Sequence, residues 1–126
     1  MPTRDEHLEK AQRNEAAALT NEKLHSEWAV TALFCAALHY VEAYWYEMYA
    51  VEGYEPHYAS HEERGPRIKQ YLSPIYKHYR ALERSAHEAR YQTTAFSEYD
   101  VRDLRQQHLQ SLKNYILEGL KPPKRG

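Results

Sequence analysis

The stretch SEWAVTALFCAALHYVEAYWYEMYAV, residues 26–51, is the longest apolar run in the chain and decides the fold. It contains no Gly, Pro, Asn or Asp, the residues that most often interrupt a helix. Ser26 is predicted to cap it by accepting from the first exposed N–H groups, beside a favourably placed Glu27. Because apolar side chains occur almost all the way round, the stretch is predicted to be a central helix packed on several sides.

A membrane span is the alternative for so apolar a helix, and the charge pattern argues against it. The uncharged run that starts at Trp28 ends at Glu42, well short of the ~20 residues that cross a bilayer. The second half of the helix is aromatic, with Tyr40, Tyr44, Trp45, Tyr46 and Tyr49. These rings indicate core together with a dimer face, or alternatively a ring-stacking ligand site.

Length and composition indicate a single domain. The 126 residues are enough for a sizeable core, and we expect a helical domain over 1–120 followed by a basic, flexible tail over 121–126. The 17 basic and 18 acidic residues nearly cancel, so any RNA contact must come from a local patch. The single cysteine, Cys35, is predicted to be a buried small hydrophobe, and the N-terminus shows no apolar signal segment. A cytoplasmic location is therefore expected.

Helical patterns flank the central stretch on both sides. Residues 4–24 consist of good helix formers and are predicted to form a first helix, with a bend at 21–25. Gly53 and Pro56 are predicted to end the central helix. A later apolar stripe with alternating spacings of four and three comprises Ile68, Leu72, Ile75, Tyr79, Leu82, Ala86 and Ala89. Pro74 lies inside this stripe, which predicts a kink or two helices, with Ser73 capping the second.

The last helix is predicted over about 101–120, after a polar loop at 92–99. Ser97 or Asp100 would cap it, and Gly119 would end it. Its apolar face would consist of Val101, Leu104, His108, Leu112, Tyr115 and Ile116. Since no segment alternates like a strand, the chain is predicted to be an all-α, up-and-down bundle of four to five helices.

Metal and cofactor motifs are not found in the sequence. His57 and His61 have i, i+4 spacing, but they read HYASH rather than HExxH, and Pro56 and Ser60 favour a loop. They are therefore interpreted as surface histidines, and no metal or cofactor is predicted. There is also no glycine-rich phosphate loop and no recognisable serine or cysteine nucleophile motif.

Arginine and histidine recur together in the second half of the chain. The pairs are His61 with Arg64, Arg80 with His87, and Arg102 with His108. Such a pair can cleave RNA without a metal, because a neutral imidazole takes the 2′-OH proton while a guanidinium stabilises charge on the phosphate. The alternative is chance proximity on solvated helix faces, or a core histidine at the apolar position of His108.

The order of these motifs resembles the HEPN family, which comprises small bacterial and archaeal helical bundles. The resemblance covers residues 8–118 and begins with the aromatic helix core ALFCAALHYVEAYW. It continues with His61 and Arg64, then Tyr79, Leu82, Ser85, Ala89, Arg90 and Tyr91, and a last helix. Such proteins are often encoded beside minimal nucleotidyltransferases or within defence and toxin–antitoxin systems. The resemblance implies a homodimer, a nucleotide or RNA ligand, or a co-encoded nucleotidyltransferase or antitoxin as partner, and no membrane.

The resemblance also implies site residues. Ribonuclease members share an Arg followed, after four to six residues, by a His near the start of the final helix, and Arg102 with His108 fits that spacing. It therefore implies Arg102 and His108 as catalytic residues, with His61, Arg64 and Arg90 as binding residues. Three hypotheses follow. They are a HEPN-like protein that binds nucleotide, RNA or a partner protein in a defence setting, an active metal-independent endoribonuclease, and a purely structural or interaction dimer.

Overall fold

The computed structural model describes residues 3–52 and 61–121, with side chains at 3–48 and 64–121. Within these ranges the chain forms five helices and no strand. They are α1 (Arg4–Asn21), α2 (Ser26–Glu52), α3 (His61–Tyr71), α4 (Ser73–Tyr91) and a continuous α5 over 98–120, whose middle turn, Leu104–Leu109, is π-helical. The prediction of an all-α bundle of four to five helices is confirmed.

The helix α2 is central, as predicted, and packs against α1, α4 and α5. Tyr40 and Trp45 are fully or almost fully buried, and Tyr44 and Tyr46 are half-buried. A buried aromatic side chain removes about 150–250 Å² from water, so these rings contribute several kcal/mol each at ~25 cal/mol per Å². The neighbouring helices of the same chain supply the cover for Tyr40 and Trp45.

The helix α1 packs closely on α2 through small residues. Thr3 and Glu6 form a capping box at its start. Its buried residues are Ala11 and Ala18, which lie two turns apart on one face. Alanine at both positions lets the two helix backbones approach each other. The apolar stripe of α1 is thin, and polar contacts add to its packing on α2.

One of these polar contacts connects three helices. The Tyr40 hydroxyl of α2 donates a hydrogen bond to the Glu15 carboxylate of α1, and Lys113 Nζ of α5 lies 3.1 Å from the other oxygen, Oε1. Burial, and then the hydrogen bond and charge of Glu15, raise the pKa of Tyr40. The phenol therefore stays protonated and acts as a donor.

Replacing Tyr40 with phenylalanine is expected to lower the free energy of unfolding by about 1–2 kcal/mol, because Glu15 loses a buried donor while the ring packing is kept. Urea unfolding would measure it as a lower midpoint at constant slope. Tyr99→Phe is the matched control, because Tyr99 is 64% exposed. Equal losses in the two variants would show that the hydroxyl contact contributes nothing.

Two predicted helix caps are wrong. Ser26 is the first residue of α2, and its hydroxyl donates to the Glu22 carbonyl at 3.0 Å instead of accepting from the helix. Two separate helices replace the stripe around Pro74, as one of the two alternatives predicted. However, Leu72 is the N-cap of α4, without a side-chain hydrogen bond, and Ser73 is already helical. Leu72 is non-helical, and its side chain is buried in the core. This buried residue sets the boundary between α3 and α4.

The start of α5 and the burial of Leu112 and Ile116 agree with the prediction, whereas Tyr115 and Gly119 differ from it. Ser97 caps the helix in a capping box whose second partner is Asp100. The π-helical turn then shifts the apolar face, so Leu109 is buried while Tyr115 is 38% exposed. Gly119 lies within the helix rather than at its end. A Cβ there would come 2.7 Å from the Tyr44 ring, so the close packing of α5 on α2 requires glycine.

Several predicted features lie outside the described residues. These are the stop signal of Gly53 and Pro56, the loop histidine His57, and all of the basic tail beyond Lys121. His61 begins α3, but its side chain is not among those described.

Candidate functional site

A groove of about 620 Å³ lies between α2 and α4, and we call it the α2–α4 groove. Its floor is apolar and comes from α2, with Phe34, Cys35 and Leu38. Its wall is polar and comes from α4, with Arg80, Glu83, Arg84, His87, Arg90 and Tyr91. The volume falls within the range of about 300–1,000 Å³ that is typical of small-molecule sites.

The wall of the groove is positively charged. The Arg80 guanidinium forms an ion pair with Glu83 one turn away. The hydrogen bond to Glu83 raises the pKa of Arg80, and burial opposes this only in part. Since that pair is neutral overall, Arg84 and Arg90 carry the excess positive charge. Arginine offers a planar set of donors that matches phosphate or carboxylate oxygens in pairs.

An aromatic platform stands at one end of the groove. Tyr91 is 70% exposed, so most of its ring is open to solvent. The His87 ring lies 5.0 Å from it between centroids, and the Arg90 guanidinium lies 5.4 Å from the centre of the Tyr91 ring. A largely exposed ring with a second ring and a guanidinium beside it can stack with a planar ligand.

Cys35 on the groove floor is half-buried rather than fully buried as predicted. Burial raises the pKa of its thiol, and the nearby charges of Arg90 and Lys10 only partly oppose this. The thiol is therefore protonated at neutral pH and is a poor nucleophile. Its position at the groove makes it a reporter of what binds there.

Arg64 lies in the core and not in the groove. Its guanidinium is 10% exposed, and Nη2 lies 3.1 Å from Oε1 of the buried Glu42 on α2. Tyr79 of α4 is a close neighbour of this pair, and burial raises the pKa of Tyr79 to about 12 although Arg64 opposes the shift. The ion pair connects α3 to α2 beside α4, so the structure gives Arg64 a packing role.

The structure places Arg102 and His108 in different surroundings. The Arg102 guanidinium lies 5.4 Å from the centre of the exposed Tyr99 ring at the start of α5. His108 points toward α4, where its Nδ1 lies 3.0 Å from Nδ1 of His78. Five residues separate Arg102 from His108 along a helix that changes from α to π, so their side chains leave it in different directions.

His108 also lines a smaller pocket, of about 390 Å³, beside the loop that precedes α5. Asp100 and Asp103 lie on the same pocket wall, and Arg102 does not line it. Burial, followed by the charge of Lys77, lowers the pKa of His108, so its imidazole is neutral at pH 7. A neutral imidazole can act as a base, but two nearby carboxylates would repel a phosphate.

Sequence reasoning missed most of the groove. Of the three Arg–His pairs, Arg80 with His87 is the one whose two members line a single cavity in the described structure. With Arg84 and Tyr91, this pair forms a row on α4 with the helical spacing i, i+4, i+7 and i+11. That spacing is the sequence signal from which the groove wall could have been predicted. Nothing in the sequence pointed to His78, because its partner lies 30 residues further along.

Within the described ranges, no group of three or more His, Cys, Asp or Glu side chains is placed to hold a metal ion. None of the helices in those ranges combines the length and apolar character that a membrane crossing requires. The fold and groove thus define an all-α bundle with a basic, aromatic-edged groove. No protein-family model, curated protein or solved structure matches the chain.

Proposed function

We propose that the protein binds a nucleotide or single-stranded RNA in the α2–α4 groove. The observation that carries this proposal is the arrangement of Arg84 and Arg90 around an exposed Tyr91 above an apolar floor. The guanidiniums suit phosphate oxygens, and the ring suits the face of a base. The overall charge of −1 makes this local patch, rather than a global field, the source of affinity.

The resemblance to HEPN proteins supports the same class of ligand. It extends the proposal to a homodimer acting in a defence or toxin–antitoxin setting, with a co-encoded protein as an alternative occupant of the groove. Light scattering of the purified protein tests the dimer independently of any ligand.

Replacing Tyr91 with alanine is expected to weaken binding of a short labelled single-stranded RNA by about 5- to 150-fold, the equivalent of ~1–3 kcal/mol for one lost stacking contact. Fluorescence anisotropy titrations would measure it. Tyr99→Ala is a closely matched control, because Tyr99 is also exposed and also has an arginine 5.4 Å from its ring centre, but it lies outside the groove.

The chain's sole cysteine provides a readout of position. Because Cys35 lies on the groove floor, bound RNA or mononucleotide is expected to slow its reaction with a thiol reagent, and Tyr91→Ala is expected to restore the rate at the same ligand concentration. Binding that leaves the thiol rate unchanged, or that responds to Tyr99→Ala instead, would overturn the groove as the site.

Cleavage by Arg102 and His108 is a separate hypothesis that the same reagents test. RNA incubated with the protein and a chelator would be compared with RNA incubated with His108→Ala. The separation of Arg102 from His108 and the acidic pocket do not favour this chemistry. Chelator-resistant cleavage that His108→Ala abolishes would establish it all the same.

A further inference from the structure

Two histidine pairs connect neighbouring helices in the same way. His7 of α1 faces His39 of α2, and His78 of α4 faces His108 in the π-helical turn of α5. In each pair the two Nδ1 atoms lie 3.0 Å apart, and the ring centroids lie 5.3 Å apart. The centroid distance exceeds the Nδ1 distance by about twice the distance from a ring centre to its own nitrogen. The two Nδ1 atoms therefore lie head to head, on the line that joins the ring centres.

The head-to-head geometry identifies a shared proton rather than a metal chelate. Two imidazoles that hold one metal ion aim their lone pairs at a point beside the line that joins them, which brings the ring centres closer together. A linear arrangement at 3.0 Å is instead that of one N–H donor facing one nitrogen acceptor. Each pair can keep this bond when neutral or singly protonated. It cannot keep it when doubly protonated, because two N–H groups and two charges then face each other.

Several charged groups lie near the first pair. Glu6, Glu9, Lys10 and Arg13 of α1 line its pocket, and Arg64 of α3, paired with Glu42 of α2, also acts on His39. Burial, then the charges of His7, Lys10 and Arg64, lower the pKa of His39 to about 4. Burial also lowers the pKa of His7, and Glu6 partly opposes this.

The charge of Lys77 on α4 acts on both rings of the second pair, and Asp100 and Asp103 of α5 line a pocket with His108. Arg105 of the π-helical turn is paired to Glu22, which follows α1. Burial, then the charges of His108 and Lys77, lower the pKa of His78. Both pairs are therefore neutral and hydrogen-bonded at pH 7.

We infer that the two histidine pairs form an acid-sensitive latch, which holds α1 and the π-helical turn of α5 against the rest of the bundle and opens when both rings of a pair are protonated. This inference does not depend on the proposed function. It rests on the matching geometry of two pairs that lie at different helix contacts.

The direction of the pH dependence follows from the proton count. An unfolded histidine titrates near pH 6.5, whereas the folded rings bind protons only at lower pH. The unfolded chain therefore takes up more protons as the pH falls below about 6.5, and stability decreases until the folded pairs also protonate, at about pH 4 for His39. Each such histidine can lower the folding equilibrium constant up to about tenfold per pH unit within this window.

Urea midpoints measured from pH 8 to pH 4.5 test the latch. The unmodified protein is expected to lose stability steeply below about pH 6.5, whereas His39→Gln and His108→Gln each flatten that decline. His25→Gln is the control, since His25 is exposed and outside both pairs, and it is expected to keep the original slope. Slopes that stay equal in all four proteins would overturn the inference.

Ring titrations by NMR keep the test decisive if a variant fails to fold. In the unmodified protein, the four paired histidines are expected to titrate below the ordinary histidine value of about 6.5. Paired rings that titrate at that ordinary value would overturn the latch. Low titration of the four paired rings, together with smaller amide-exchange protection factors in α1 at pH 5 than at pH 7, would establish the latch.

Discussion

Replacing Arg64 with alanine is expected to lower the free energy of unfolding by about 3–5 kcal/mol, because it removes a guanidinium from a buried carboxylate. The Glu42 and Arg64 side chains are 8% and 10% exposed. Arg64 places Nη2 at 3.1 Å and Nε at 3.2 Å from Oε1 of Glu42, so both donors are directed at one oxygen. An exposed ion pair contributes much less to the free energy of unfolding, about 0–1 kcal/mol.

Urea unfolding provides the measurement, with a lower midpoint and an unchanged slope. Glu42→Ala is expected to cost a similar amount. The double variant Glu42→Leu/Arg64→Met should recover most of the loss, because apolar side chains of similar volume replace a buried pair well. Lys69→Ala on the same helix is the control, and its contact with the Tyr76 ring is worth less than about 1 kcal/mol. If Arg64→Ala costs no more than Lys69→Ala, a packing role for Arg64 is wrong, and the binding role that the family resemblance implies gains support.

The central helix shows how much of the fold local sequence can predict. Residues 26–51 lack helix breakers and are apolar on all sides, and the structure has α2 there with neighbours on several faces. The helix boundaries near Pro74 and Ser97 were also predictable in position, because proline and capping chemistry act within a few residues, although Leu72 and not Ser73 is the N-cap of α4.

The π-helical turn shows what local sequence does not contain. Its residues, LRQQHL, include no glycine or proline, and an α-helix is the expected conformation. The wider turn brings Leu109 into the core and points His108 at His78, so tertiary packing determines it. A face calculated at 3.6 residues per turn therefore placed Tyr115 in the core, although it is partly exposed.

The site was harder to predict than the fold for a related reason. Arg64 and Arg90 both looked like cleft residues, and only the three-dimensional arrangement separates a guanidinium paired with Glu42 from one that borders a groove. The row of Arg80, Arg84, His87 and Tyr91 has clear helical spacing. However, a polar row on a helix is an ordinary solvated face unless a second helix lies opposite, and the sequence does not say which helix that is.

Reversing the charge at Arg84 and Arg90 together is expected to weaken RNA binding by about 100-fold or more. A hydrogen bond to a charged group contributes about 1.5–3 kcal/mol, and each 1.4 kcal/mol is a factor of ten in affinity. If each guanidinium neutralises one phosphate of a single strand, losing both should also reduce the slope of log affinity against log salt by about 1.4. Anisotropy titrations of Arg84→Glu/Arg90→Glu at several salt concentrations would give both quantities.

The control for this experiment is Arg13→Glu/Lys23→Glu, which changes the net charge by the same amount. Both residues are absent from the groove lining; the Arg13 side chain on α1 is 72% exposed, and Lys23 is exposed in the turn that follows α1. A general field would make the two double variants equally weak binders, because long-range attraction depends on total charge. Contacts in the α2–α4 groove instead predict that the control keeps its affinity within a few-fold and its full salt slope. Circular dichroism of both proteins would confirm that the helices remain, so that a loss of binding in the groove variant reports on its guanidiniums.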